Sequence, residues 1–466
     1  MKKITIWHTN DVHSQFEDFS AIVHYIRKHI NFEKDFLLDA GDFCDQKSVM
    51  INGTHGVGGI ELLKSAGYDA MAIGNNEFFA GMEYLEEMTN QNFPLLSANL
   101  FRLNKEPISG VLPFITLTRS GVRVLIIGIS PYWGESPEST AFTDMCGMKL
   151  LEPTSLVQKI LEQEKGNYDI SILLSHGGIK KDREIAETVN GLDCIIGGHS
   201  HTEMDEAEHI NGTWIHQSGC WAKYLGKLTL EVDDDYHVVS ASGENIVVEK
   251  EKDPQIESVM AQQTEIAIAE LSKVLYVLPQ DLEFSIEHEC MAMNVLADMM
   301  WKTYPSDLAL INHGILSKGI AKEVTKLNLL KVSPSPLNPT TLVWSGKQIK
   351  DAIFASQKEE YIHMTPNRWA GFRGKELGTL AVSQNVQVDC DLQTITIDGK
   401  PLDEEKEYCV LTSDFLQRGY GYEMLGESLK KTSFAKEFFR DLLEMKLDDV
   451  QFIESAKISR FHRGKI

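Results

Sequence analysis

Through the first half of the chain, short apolar runs rich in β-branched residues alternate with segments of helical periodicity. This alternation restricts the fold to a layered α/β architecture. Strands are expected at Ile4 to Trp7, Phe36 to Leu38, Ala70 to Ile73, Leu95 to Ala98, Val122 to Ile129, Ile170 to Leu174 and Cys194 to Ile196. Between them, Ser20 to His29 sets Ile22, Val23 and Ile26 on one helical face, and Gly59 to Ala66 does the same with Ile60, Leu62 and Leu63. Thr213 to His216 and Lys227 to Val232 have no helix between them, so antiparallel pairing and a mixed sheet are expected there.

The pattern changes near Lys250 to Pro254, where a charged stretch leads through Asp253-Pro254 into a helical segment, Ile256 to Val274. The expected organisation is a first domain over 1–249, a linker helix over 250–274 and an α+β domain over 275–466. A chain of 466 residues is long enough for such a division. A second amphipathic helix is expected from Cys290 to Trp301, with strands near Leu342, Val386 and Ile395.

Charge narrows the partners. With 45 Lys and Arg against 68 Asp and Glu, the formal charge is −23, which works against binding a nucleic-acid polymer and leaves small anions open. The seven cysteines are scattered and form no C-x-x-C, as in a reducing compartment. The opening Met1 to Asp11 leaves no room for an apolar leader, and no run approaches the roughly 18 apolar residues of a membrane span. A cytoplasmic protein with no membrane association is the expectation.

Chemistry gathers at the strand ends. Directly after successive apolar runs come Asp11-Val12-His13, Asp39-Ala40-Gly41-Asp42, Gly74-Asn75-Asn76-Glu77, Ser175-His176-Gly177-Gly178 and Gly197-Gly198-His199-Ser200-His201. In an open α/β sheet the crevice beyond the strand C-termini collects loops from distant parts of the chain, so these side chains can converge. Singly each is a routine turn or a lone histidine. Together they supply the mixed imidazole and oxygen ligands, with a bridging carboxylate, that hold two divalent cations for phosphoryl displacement.

On these motifs the chain resembles the calcineurin-like metallophosphoesterases, and in particular the two-domain 5'-nucleotidase and UDP-sugar hydrolase family. Trp7-His8-Thr9-Asn10-Asp11 and Gly67-Tyr68-Asp69-Ala70-Met71-Ala72-Ile73-Gly74-Asn75 carry the resemblance. It implies a four-layer α/β/β/α domain, a linker helix and a 5'-nucleotidase C-terminal-type domain whose face closes the metal site. It further implies that Asp11, His13 and His201 hold one metal, that Asn75, His176 and His199 hold the other, and that Asp42 bridges. Mn²⁺, Zn²⁺ and Fe all suit such ligands. Hydrolysis of a small phosphorylated, nucleotide-related substrate by a metal-bridging hydroxide follows from the same resemblance. Asn99, in Ser97-Ala98-Asn99-Leu100, matches a position near the site and either contacts the phosphoryl group or stabilises a turn.

The departures from the family carry as much information. Where the family reads Asn-His-Glu-x-Asp, this chain reads Asn75-Asn76-Glu77-Phe78-Phe79, so the catalytic His-Asp dyad is absent and Asn76 takes the place of the imidazole. An amide can donate a hydrogen bond but cannot transfer a proton at neutral pH, which favours substrates with good leaving groups. In the second half the family's Asn-Gly-Gly-Gly-Ile-Arg becomes Asn312-His313-Gly314-Ile315-Leu316, and His288 stands where a second arginine is usual. Tyr420 replaces a ribose-binding Asp, and Phe415 remains either as a stacking ring or as core. A metal-binding but catalytically impaired binding or regulatory protein of the same fold is the competing reading.

Overall fold

The computed structural model describes residues 2–365, 371–428 and 430–464. It divides into two units, the first running to Ala267 and the second starting at Ile268. In the first, two sheets face each other. One is ordered Val238–Ile246, Leu225–Val232, Lys2–Thr9, Phe36–Asp39, Ala70–Ala72, Leu95–Leu96 and Val111–Leu112. The other is ordered Glu208–Ile210, Thr213–His216, Cys194–Gly197, Ile170–Ser175, Val122–Ile129 and Phe114–Arg119.

The twofold period of the strands decides the layers. Ile4, Ile6, Phe36, Leu38, Ala70 and Ala72 of the first sheet meet Val124, Ile126, Ile172, Leu174 and Ile196 of the second in one buried cluster. The alternate residues face outward under helices. Trp7, Leu37 and Met71 pack with Phe19, Ile22, Val23 and Ile26 of the helix Phe16–His29 and with Ile60, Leu62 and Leu63 of Val57–Ala66. Leu125, Ile127, Leu173 and Ile195 pack with Val157, Leu161 and Ile185 on the opposite side. The result is the α/β/β/α order expected. Each fully buried Leu or Ile contributes about 1.5–3 kcal/mol.

Leu225–Val232 pairs antiparallel with Lys2–Thr9 and not with Thr213–His216, which lies in the other sheet, so the antiparallel pairing expected between those two runs does not form. Thr213–His216 departs from expectation: it runs parallel to Cys194–Gly197, because the intervening segment forms its own strand, Glu208–Ile210, which turns the chain back in a hairpin. The segment expected as a linker is the helix Pro254–Leu271. Its buried Ile256 belongs to the first unit's core, and Val274 lies in the next strand, so most of the helix is part of the first unit.

The second unit is built on a five-stranded sheet ordered Leu380–Val382, Leu308–Asn312, Glu407–Ser413, Pro339–Ser345 and Ser433–Phe434. The helix Met291–Thr303, buried along most of its length, is part of the same core. A fully buried ion pair, Arg460 Nη2 to Asp298 at 2.7 Å, ties this helix to the C-terminal segment. Among the described residues, no helix is long and apolar enough to cross a membrane.

Candidate metal centre

The strand ends of both sheets in the first unit bring two groups of ligands together. Asp11, His13 and His201 form one, and Asp42, His176 and His199 form the other, with ligand atoms within 4.8 Å of one another in each. The groups adjoin. Asp42 turns Oδ1 to His176 Nε2 at 3.3 Å and Oδ2 to His13 Nε2 at 3.9 Å, one oxygen toward each group. Asp11 Oδ1 lies 3.4 Å from His201 and 3.9 Å from His176.

Backbone geometry sets these directions. Five of the six residues, Asp11, His13, Asp42, His199 and His201, have φ between 47° and 70°, a left-handed conformation that side chains other than glycine seldom adopt. Such strain persists only where the surroundings over-determine it. Gly41 shows how: at φ 91°, a Cβ there would come within 2.8 Å of Ala72 O, Gly74 N and His176 Nδ1, so this loop crosses its neighbours where only glycine fits.

The donor set fits divalent cations. Asn75 Oδ1 and His176 Nε2 are buried without a hydrogen-bond partner, which is costly for polar atoms unless something else binds them. His176 Nδ1 donates to Ala40 O at 2.7 Å, which leaves Nε2 as the electron-pair donor, the orientation a metal-binding histidine takes. Burial opposes charge on His176, yet Asp42 and Asp11 draw a proton onto it and raise its pKa to about 10. His201 is likewise opposed by burial and raised to about 10, here by its bonds to Asp11 and to the Cys220 thiol. Burial and the neighbouring His176 push His199 down to about 4. A cation binding here would displace the protons from His176 and His201.

Residues 4–203 match the model of the calcineurin-like phosphoesterase family, and residues 268–427 match the 5'-nucleotidase C-terminal domain. The chain thus joins a match to a calcineurin-like phosphoesterase with a match to a 5'-nucleotidase C-terminal domain. Calcineurin-like phosphoesterases use two divalent metals, in keeping with the two adjoining groups. An uncharacterized metallophosphoesterase, YunD of Bacillus subtilis (strain 168), is 27% identical over 469 residues, covering 96% of this chain and 99% of that one. The 5'-nucleotidase of Bos taurus is 29% identical, covering 64% of this chain and 59% of the relative. Among solved structures, the NAD nucleotidase NadN of Haemophilus influenzae superposes with a TM-score of 0.64 at 17% identity over 95% of this chain and 96% of that one.

The residues around these two groups hold their loops in place. His199 N donates to Asp11 Oδ2 at 2.9 Å, and Asn10 Nδ2 donates to the same oxygen at 2.8 Å. Glu77 accepts from the backbone NH of Gly74, Asp42 and Cys44, which clamps the Asp42 loop to the Asn75 loop. Burial and the Asp42 charge raise Glu77 to about 7. Below the ligands, buried Asp182 accepts from Ser175 Oγ at 2.5 Å and Gln217 Nε2 at 2.8 Å, and Gln217 Oε1 accepts from Ser200, between His199 and His201.

Asn76 is turned inward. Its backbone NH donates to Asp42 Oδ1 at 2.8 Å and its side-chain Nδ2 to Asp42 Oδ2 at 2.7 Å, so the amide supports the carboxylate between the two groups. Asn99 has no open face: its Nδ2 donates to Ser130 O and Leu151 O, its Oδ1 accepts from Ser97 and Ser130, and it is fully buried. These bonds tie the segment around Asn99 to those around Ser130 and Leu151.

In the second unit several residues expected to touch substrate lie in the core. Phe415 is fully buried and stacks with Phe372 at 4.6 Å between ring centres and with Tyr420 at 5.7 Å. His313 is buried, within 2.6 Å of Ser285 O, and held down at about 4 by burial. Asn312 is buried and donates to Leu377 O. Tyr420 is half-buried, and exposed His288 lines a pocket of about 220 Å³ with Glu287, Glu289, Gln357 and Arg463.

Three side chains near the metal centre escape a reading of the sequence: Cys220, Trp133 and Trp221. Trp133 lies four residues beyond the strand Val122–Ile129, so the strand-end rule that selects the ligands could have selected it. Nothing local to Cys220 or Trp221 marks them.

Proposed function

We propose that this chain is a two-metal phosphoric ester hydrolase acting on a small phosphorylated, nucleotide-related substrate. The observation that carries the reading is Asp42, with one oxygen facing each imidazole-bearing group, where a bridging carboxylate would sit. Asp11, His13 and His201 would hold one divalent cation, and Asn75, His176 and His199 the other, with Mn, Zn or Fe all suited to these donors. When bound, the pair supplies Lewis acidity to the phosphoryl oxygens and eases deprotonation of the attacking water. Asp11 and Asp42, held by Asn10, Asn76 and backbone NH groups, keep the ligand shell rigid for an in-line displacement.

In that displacement water oxygen bonds to phosphorus, the bond from phosphorus to the leaving oxygen breaks, and that oxygen keeps both electrons. Asn76 has no proton to transfer, and its amide is engaged with Asp42. A sugar alkoxide would therefore leave slowly, while a phosphate or phenolate leaves without help. This supports pyrophosphates, diesters and activated esters as the better substrates.

A second reading draws on the same inward turn of Asn76 and on the enclosure of Phe415: a metal-binding protein of this fold without turnover. Initial rates with Mn²⁺ on AMP, UDP-glucose, a dinucleoside polyphosphate, a cyclic nucleotide and bis-p-nitrophenyl phosphate separate the two, with Asn76→His alongside. Turnover of the pyrophosphate or diester substrates, with the His variant gaining mainly on AMP, is the expected result. Inertness of both proteins on every substrate favours the second reading, and a clear preference of the wild type for AMP removes the leaving-group argument.

A further inference from the structure

Two tryptophans stand open beside the metal-capable residues, one at each group. Trp133 is 37% exposed, with its ring centre 6.4 Å from that of His199, and it packs on Phe78 at 6.3 Å and Phe79 at 6.4 Å. Trp221 is 44% exposed, with its ring centre 6.0 Å from that of His201. Exposed tryptophan forgoes the burial that so large an apolar ring would gain, so two of them at one site ask for a reason.

Neither stands on loose chain. Trp221 lies between buried Cys220 and Ala222, and its backbone NH donates to Asp11 O at 2.7 Å. Its φ is 58°, and that of Ala222 is 53°, a left-handed pair that is unfavourable for a bulky residue and that holds the ring where it is. Trp133 follows Pro131, which is buried, and rests on the two phenylalanines that come directly after Asn76 and Glu77. The aromatic wall thus continues from the segment that lacks a proton donor.

We propose that Trp133 and Trp221 form a leaving-group subsite that selects aryl phosphate esters, Trp133 contributing more because it adjoins the Asn76 segment. The proposal rests on the hydrolase reading above and names its substrate class. The two features agree chemically. An aryl oxygen departs as phenolate with both electrons of the broken bond and requires no proton from Asn76, while its ring offers a planar face to indole.

The test separates ring recognition from leaving-group acidity. With Mn²⁺, kcat/KM is measured for p-nitrophenyl phosphate and for acetyl phosphate, which has a good leaving group and no ring, in wild type, Trp133→Ala, Trp221→Ala and the two Phe variants. In parallel, calorimetry compares the Kd of phenylphosphonate with that of methylphosphonate, which needs no turnover. Trp133→Ala is expected to lose about tenfold on the aryl ester and in phenylphosphonate affinity, with acetyl phosphate and methylphosphonate little changed. Trp221→Ala should lose less, and Phe should restore most of either loss. Parallel losses on both substrates, or an unchanged phenyl-to-methyl Kd ratio, overturn the proposal. A wild type inert on both compounds overturns the aryl-ester assignment while the hydrolase reading is decided by the panel above, and the phosphonate ratio still decides whether the tryptophans recognise a ring.

Discussion

The two units differ in where strained backbone and unmet polar atoms coincide. At the candidate metal centre, five of the seven candidate ligand residues sit in left-handed backbone, and Asn75 and His176 each present a buried polar atom with no partner. In the second unit, His313 is bonded, Phe415 is stacked with two rings, and Arg460 is matched by Asp298. Buried atoms without a hydrogen-bond partner occur in the second unit too, among them Asn294 Oδ1, Asn312 Oδ1, Asn338 Oδ1 and Arg460 Nε, but none of these residues sits in left-handed backbone. Strain and unmet polar atoms gathered in one place mark a site that awaits a ligand, whereas unmet atoms scattered through unstrained backbone do not.

The sharpest way to break that contrast is Asp42→Ala, which removes the carboxylate facing both groups. Activity on the best substrate should fall by about 10⁴-fold or more, and the rise in Tm on adding Mn²⁺ should shrink. A variant that keeps its activity and its Mn²⁺-dependent Tm shift would show that the unmet atoms do not await a metal. In the second unit the largest effect should come from Asp298→Ala, which strands the Arg460 guanidinium in the core. A loss of about 3–5 kcal/mol in urea unfolding is expected.

A third prediction concerns pH and returns to the first unit. Burial, only partly offset by Ser175 and Gln217, raises the pKa of Asp182 to about 7 against an ordinary value of 3.8, with His176 and Arg183 as its charged neighbours. The folded state then holds this proton more tightly than the unfolded chain. Its contribution to stability is therefore largest at low pH and is lost as pH rises from about 4 through 7. Unfolding free energy measured between pH 5 and 8 should fall by more than about 1 kcal/mol from this group, and Asp182→Asn should flatten the slope. The smallest effect is expected of Phe415→Leu, about 1 kcal/mol in stability with KM unchanged. A tenfold rise in KM at unaltered stability would restore Phe415 as a substrate contact.

The candidate ligands were legible because they follow five apolar runs, and a strand delivers its next residues to a known end of the sheet whatever the rest of the chain does. The layers were legible for a similar reason, since alternation along Lys2–Thr9, Phe36–Asp39 and Ile170–Ser175 assigns each residue a face. Thr213–His216 was harder, because its direction depends on the short strand Glu208–Ile210, whose apolar signal is weak. The role of Phe415 was left between core and ligand, because a lone ring beside Leu411 and Leu416 reads the same either way until Phe372 is placed over it.

The sequence by itself determined the order of strands and helices, the placing of Asp11, His13, Asp42, Asn75, His176, His199 and His201 at strand ends, and the lack of a proton donor after Asn75. Each of these is a local property, carried by periodicity or by the residue at one position. Only the tertiary structure decided that Asn76 turns onto Asp42, that Phe415 stacks with Phe372 and Tyr420, and that Trp133 and Trp221 stand open beside His199 and His201. These depend on contacts between segments far apart in the chain, where close packing leaves each side chain few places to go and the neighbour that arrives first in space, not in sequence, chooses among them.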